Sequence, residues 1–453
     1  MRFRTAAALF AAFLIAASAI SASAFNYDVG FWLARSSRSY EVLADAAKLS
    51  QIGAISSKDP RTGITDLAAF PLKVNASDMI EYLKTPELPK DLFLSDGSAA
   101  PAGAITQITA RIKPAGTDTA AYYDVRYGVA VLRSDLRILP ASDRLMTKKS
   151  GGTDALQAGR LLPAEPVIVL YETTDRAWLF VQTARQRAWV PSQNIAFAFT
   201  KEHWMSFAGP QDFLTVLAPS LYLEQDPALQ GISGMELPMG TRLPLVPDSS
   251  VPAEVKSRAS ADSYVALLPA RRTDGRLNVT TVLISRTADV FRGLLPVTGE
   301  SILKQAMKLV GGRYGHKGYL GRDPFIMISD IFRCMGLEMP LTQAGYEAMP
   351  FAFQQLKGLS SDVAMVALRK AAPGSVIMLE TGPAVYLGQY GDDVYAIAAL
   401  SSVRVAPKSS TEFSLVESSI NGIALVNLKG IFAESGNNFF IESRYYAEPS
   451  LAR

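Results

Sequence analysis

The spacing of apolar positions changes twice along the chain. Between Tyr40 and Ile52, Val42, Leu43, Ala46, Leu49 and Ile52 form a stripe that predicts a helix. Ser77-Asp78 ahead of Met79, Ile80 and Leu83 predicts a capped helix start. Leu94 to Ala104, rich in Gly, Ser, Ala and Pro, reads as a linker. Beyond it the apolar runs shorten. Val125–Leu132, Pro166–Tyr171, Ala177–Thr183 and Arg187–Val190 are β-rich, with polar turns at Thr173–Asp175 and Arg185-Gln186. Short strands at tight spacing predict a small barrel. A second β-rich stretch has strand candidates at Leu214–Leu217, Thr241–Val246, Tyr264–Leu268 and Val279–Ser285, with a polar loop over Pro247–Ala261. Two such stretches suggest a duplicated barrel, although no residue-level repeat joins them.

After Pro296 helical spacing returns. Ile302, Leu303, Ala306, Met307 and Val310 make one buried face. Phe325, Ile328, Ile331, Phe332 and Met335 make another, stopped by Gly336. Strands are predicted at Ser375–Leu379, Ala384–Gln389, Val394–Leu400 and Ile423–Leu428, with turns at Pro373-Gly374 and Gly391–Asp393. The predicted organisation is an α+β multidomain protein: a helical N-terminal segment over 25–104, barrels over 105–200 and 201–292, and an α+β domain over 293–453.

The length of 453 residues allows two to four domains. A net charge of +3 is too mild for a nucleic-acid partner, and no basic stripe interleaves with aromatics. Arg2 and Arg4, the apolar run Ala6–Ile20 and the small residues Ala22-Ser23-Ala24 read as a signal peptide over 1–24, cleaved before Phe25. An uncleaved anchor is the alternative, disfavoured by the shortness of the apolar run. No later stretch approaches the roughly 20 apolar residues of a membrane span. The expected address is therefore periplasmic or secreted. With Cys334 alone, no internal disulfide forms.

The reactive inventory is sparse. His203 and His316 are the only histidines, and both precede Cys334. These residues make no usual zinc spacing, and no phosphate-cradling loop, dinucleotide fingerprint or Gly-x-Ser-x-Gly elbow is present, so no cofactor or metal is implied. Asp392-Asp393 read as turn residues, and Tyr171, Trp178 and Trp189 as barrel core or rim.

Val125–Arg137, together with Trp178–Val181 and Ala188–Val190, resembles the first bacterial SH3 domain of one branch of the NlpC/P60 cell-wall cysteine peptidases. Gln305–Gly318 is similar to that family's helix and its Tyr-Gly-Trp-Gly-Gly loop. Arg322-Asp323, Ser329–Arg333 and Gly336–Pro340 look like its catalytic helix, and Ala372–Leu379, Val385–Gly388 and Val394–Ile397 like the strands that follow. The resemblance implies a papain-like domain, two SH3-like barrels, an N-terminal stabilising segment, and cleavage of the bond between γ-D-glutamyl and a diamino acid in peptidoglycan stem peptides. That chemistry needs a cysteine, a histidine base and a residue orienting the base.

The same resemblance places the nucleophile at Pro324, the histidine at Gly382 and the orienting residue at Ala398, so the site reads as degenerate. His316 stands where the loop tryptophan would be. Tyr314 and Asp323 persist as candidate ligand-binding residues, and the resemblance implies that Asp323 holds the free amine of the stem peptide. Read without the family, Asp323-Pro324 is a helix N-cap followed by proline in the first turn. Cys334 lies ten residues beyond Pro324, roughly 15 Å along a helix, on a face with Met327 and Ile331, as a buried structural thiol would.

The expectation is an exported pseudoenzyme that binds peptidoglycan stem peptide or a cell-envelope protein. Two alternatives stand beside it. One is an active endopeptidase or other amide hydrolase with relocated residues, drawing on His316, Asp323 or Ser329. The other is an envelope scaffold without wall affinity.

Overall fold

A computed structural model describes residues 26–112, 121–229, 231–405, 416–432 and 445–451. The predicted signal peptide, 1–24, lies outside them. The chain divides into two compact units. One joins the described residues of Met1–Ser56, Leu295–Gly315 and Leu320–Arg453; the other holds Ser57–Leu294 with His316–Tyr319. The stretch read as one N-terminal segment, 25–104, is thus shared between the units. Among the described residues, no helix is long and apolar enough to cross a membrane.

The β-rich unit is built on a seven-stranded antiparallel sheet. Its spatial order is Ile195–Phe197, Arg126–Ala130, Pro166–Glu172, Trp178–Gln182, Arg187–Pro191, Ser134–Arg137 and Gln157–Leu161. The strand Pro166–Glu172 shows why its sequence lacks polar alternation. Val167 and Val169 belong to an inner cluster with Leu179, Val181 and Val190. Ile168 and Leu170 belong to a second cluster with Trp178, Phe180, Trp189 and Trp204. Successive side chains point to opposite faces, and both faces are buried. Trp178 and Trp189 are core residues, as their pattern predicts, and Trp189 lies 5.1 Å from Phe180.

The second cluster continues into the second β stretch through Leu214, Val216, Ala266, Leu268, Val282 and Ile284. There Phe213–Val216 pairs with Arg242–Pro244 and Val290–Arg292. Ser263–Arg271 pairs along its length with Leu277–Ser285. The polar loop read over Pro247–Ala261 contains a small hairpin, Glu254–Val255 with Arg258–Ala259. The helix Lys201–Ala208 joins the two stretches. Its Trp204 is buried and donates from Nε1 to the Gly128 carbonyl at 3.0 Å. His203 lies in the first turn of this helix, its backbone N–H capped by Thr200 Oγ1 at 3.1 Å.

The other unit is a six-stranded antiparallel sheet with helices. The spatial order is Phe351–Gln355, Tyr445–Leu451, Val376–Leu379, Gly382–Tyr390, Asp393–Val405 and Val416–Asn427. The helix Ser361–Arg369 covers one face through Met365 and Leu368, which pack on Ile377, Ala384, Tyr386, Ala396, Ala398 and Leu400. The helix Pro324–Arg333 lies against Gly382–Tyr390 and Asp393–Val405, and the helix Gly299–Leu309 packs beside it. Gly391, at φ +61°, and Asp392 make the two-residue turn between the central strands, which Tyr390 and Asp393 close as a pair. A bulge at Leu387 interrupts that ladder.

The N-terminal residues complete this unit. The stripe predicted as helical over Tyr40–Ile52 splits. Val42–Ala44 is a strand paired with Val297–Thr298, and the helix Ala46–Ser56 follows. Arg38 reaches Glu448 on the last strand with two bonds, Nη1 to Oε1 at 2.6 Å and Nη2 to Oε2 at 2.9 Å. A bidentate pair of this kind fixes orientation as well as proximity.

Candidate functional site

The site builds from the start of the helix Pro324–Arg333. Asp323 is its N-cap: Oδ1 accepts from Ile326 N at 2.9 Å. Pro324 takes the first helical position, where its missing N–H costs no bond. Capping of this kind contributes about 1 kcal/mol. The carboxylate is 92% withdrawn from solvent, since Asp323 keeps only 8% exposure. One of its oxygens already serves the helix.

Gly382 faces this start. It opens its strand after a tight turn closed by the Leu379–Gly382 pair, and its φ is +122°. A Cβ there would lie 2.8 Å from Pro324 Cβ, 3.1 Å from Pro324 Cγ and 3.4 Å from Phe325 Cε2. The proline ring and the glycine backbone are therefore in contact, and both residues are buried. The structure brings together the two positions to which the resemblance assigns the nucleophile and the base. It leaves no gap between them for a reacting atom.

Ala398 is placed elsewhere. Its side chain belongs to the cluster beneath Ser361–Arg369, with Met365, Leu368 and Ala384. Strand alternation turns its neighbours Ile397 and Ala399 to the opposite face. Gly382 lies against the helix start with a positive φ, which spacing alone does not record.

Tyr314 is half-buried, and its backbone N donates to Asn421 O at 2.9 Å. Burial and the nearby charge of Asp323 hold its hydroxyl above the usual range. The same charge acts on Tyr346, a residue the sequence reading missed. Tyr346 is 0% exposed, and its hydroxyl is pushed well above 10 by burial, then by Tyr445 and Asp323. Phe325 meets the Tyr346 ring edge-on at 5.9 Å. Asp323 and Pro324 thus sit among aromatic side chains. Thr342 caps the short helix Gln343–Glu347 that carries Tyr346, and this was the one local signal available.

His316 opens the turn His316–Gly318, which belongs to the β-rich unit. There Arg133 donates to Gly318 O at 2.7 Å, and the Arg144 guanidinium lies 4.3 Å from the Tyr319 ring centre. Cys334 is 0% exposed at the far end of the helix, its Sγ 3.5 Å from Asp330 O. Ser329 is also 0% exposed. Beneath the helix, Arg322 Nε pairs with Asp330 Oδ2 at 2.7 Å.

The solved NlpC/P60 endopeptidase of Photobacterium damselae subsp. piscicida superposes with a TM-score of 0.66, covering 94% of this chain and 97% of that one at 13% identity. This chain has the NlpC/P60 endopeptidase fold. Within it, the family model for the SH3 domain of SH3b1 type matches residues 149–191, which take in the strands from Gln157–Leu161 to Arg187–Pro191. NlpC1 and NlpC2 of Trichomonas vaginalis align over 70% and 69% of this chain and 95% and 98% of their own. Both are 12% identical, and their TM-scores of 0.22 and 0.23 are too low to bear on the fold. No curated protein matches the sequence. At such low identity the NlpC/P60 relationship is one of architecture, and the chemistry rests on the residues themselves.

Proposed function

We propose that this protein is a non-catalytic member of the NlpC/P60 architecture that binds a peptidoglycan stem peptide or a cell-envelope partner without cleaving it. The observation that carries this reading is the contact between Pro324 and Gly382. Acyl transfer by a cysteine peptidase needs a thiolate and an imidazole within hydrogen-bond reach. By the alignment that the resemblance implies, a hydrocarbon ring and a bare backbone stand at those positions. Neither Cys334 nor Ser329 offers an accessible replacement, since both are fully buried. Asp323 and Tyr314 are polar groups beside that position. The SH3b1-type domain supports a wall-facing role. The leader-like residues 1–24 support export.

The test is incubation of the purified chain from Phe25 with intact sacculi and with stem peptides containing the γ-D-glutamyl-diamino acid bond. No new amino groups should appear, and the protein should sediment with the sacculi. Turnover that survives Cys334→Ala and disappears with His316→Ala would overturn the reading in favour of relocated catalysis. Absence of retention at low salt would shift the partner from wall peptide to protein.

A further inference from the structure

A cleft of about 390 Å³ opens between the N-terminal segment and the edge of the central strands, away from the Asp323 cap residues. Three arginines line it, Arg35, Arg38 and Arg369, and no acidic residue does. The three are not equivalent. Arg38 is already engaged by Glu448, by Glu41 and by the Lys370 carbonyl, so it acts as a wall. Arg35 and Arg369 pair with no carboxylate among the described residues.

Both remaining guanidinium groups are held in place. Arg35 stacks 3.3 Å above the Phe31 ring centre and 5.1 Å from that of Tyr390, and its Nη1 donates to Phe31 O at 2.6 Å. Arg369 donates from Nε to Gln389 Oε1 at 3.2 Å, and Gln389 is itself anchored by its Nε2 bond to Met365 O at 2.9 Å. Each arginine uses one of five N–H donors in these bonds, so the rest of each fork is available. The bulged residues Leu387 and Gly388 contribute to the lining, in a place where bulges commonly re-aim a strand. Ser36 and Ser37 add hydroxyls.

We propose that this cleft binds a small ligand bearing two oxyanion groups, carboxylate or phosphate, one held by Arg35 and the other by Arg369. A guanidinium fork matches either anion in bidentate fashion. The two forks arise from separate elements, so a ligand with two anionic ends gains from both. The volume is that of about a dozen waters, which suits a compact dianion rather than a polymer.

The experiment titrates the full chain with pyrophosphate and, separately, with glutarate, read by calorimetry and by the fluorescence of Trp32 in the cleft wall. At least one probe should bind saturably, with a dissociation constant of about 1 mM or tighter. Arg35→Gln and Arg369→Gln should each weaken binding about tenfold, with unchanged circular dichroism, and added salt should weaken it further. A response to pyrophosphate alone assigns a phosphate ligand, and a response to glutarate alone a dicarboxylate. If Arg35→Gln perturbs the fold, Arg369→Gln, at the exposed end of its helix, carries the test alone. Saturation by neither probe, or binding equal in wild type and the folded variants, overturns the proposal.

Discussion

Gly382 lies so close to Pro324 that a methyl group added to the glycine would sit 2.8 Å from the proline Cβ. Gly382→Ala should destabilise the protein twice over, through its φ of +122° and through overpacking. The combined loss should be about 2–4 kcal/mol by urea denaturation. In a Pro324→Gly background the overpacking is relieved, so the double-mutant cycle should show a coupling of about 1 kcal/mol or more. A cycle that closes with no coupling would show that the two residues do not share that space.

Arg322 and Asp330 pair at 2.7 Å with side-chain exposures of 11% and 3%. Asp330→Asn takes a partner carboxylate away from a withdrawn guanidinium. The cost should be about 3–5 kcal/mol, far above the 0–1 kcal/mol of a surface pair. A denaturation midpoint close to wild type would contradict this.

Tyr346 gives the protein an alkaline limit. Its hydroxyl is held well above 10 in the folded chain, chiefly by burial. The preference for the neutral form costs nothing below the unfolded value near 10. As the pH rises beyond it, the unfolded chain ionises while the native Tyr346 does not. Stability is therefore lost upward from pH ~10, by up to about 1.4 kcal/mol per pH unit for each such tyrosine. Tyr346→Phe should reduce that slope. It also removes a buried hydroxyl with no protein partner among the described residues, so stability at neutral pH should hold or rise. Denaturation series across this pH range measure both effects.

Cys334 should be silent toward a thiol reagent in the native protein and react once on unfolding, because it is fully buried at the end of its helix. Cys334→Ala should leave partner binding unchanged. Rapid native labelling would contradict the packing.

Much of this architecture is legible where one face of an element is buried. The helix Pro324–Arg333 announces itself through its apolar spacing and its Asp-Pro start, and Gly336, at φ +85°, ends it as predicted. Pro166–Tyr171 reads as β-rich from its apolar run, and Val167–Leu170 are buried on both faces. Other elements carry no such signal. Ser134–Arg137 is a strand made largely of polar residues, with Arg137 buried against Asp154 at 2.6 Å. Leu94–Ala104, read as a linker, is an ordered turn in which Gly97 takes φ +84° and Phe93 bridges Ala99. Tyr445–Leu451 contains Glu448 and Pro449 and would not be chosen as a strand, yet it pairs with Phe351–Gln355 and Val376–Leu379. At the site, the pairing of Pro324 with Gly382 follows from the family resemblance. Ala398 belongs instead to the cluster beneath Ser361–Arg369.

The bond between Arg38 and Glu448 spans almost the whole polypeptide. The unit it closes draws strands from both ends of the chain, whereas the β-rich unit is contiguous over Ser57–Leu294 apart from His316–Tyr319. During synthesis the β-rich unit can mature while the ribosome is still translating the rest. Its companion is completed only once Glu448 has emerged from the exit tunnel. A premature stop that removes only the last few residues should therefore leave the middle of the protein folded and one end exposed to proteases.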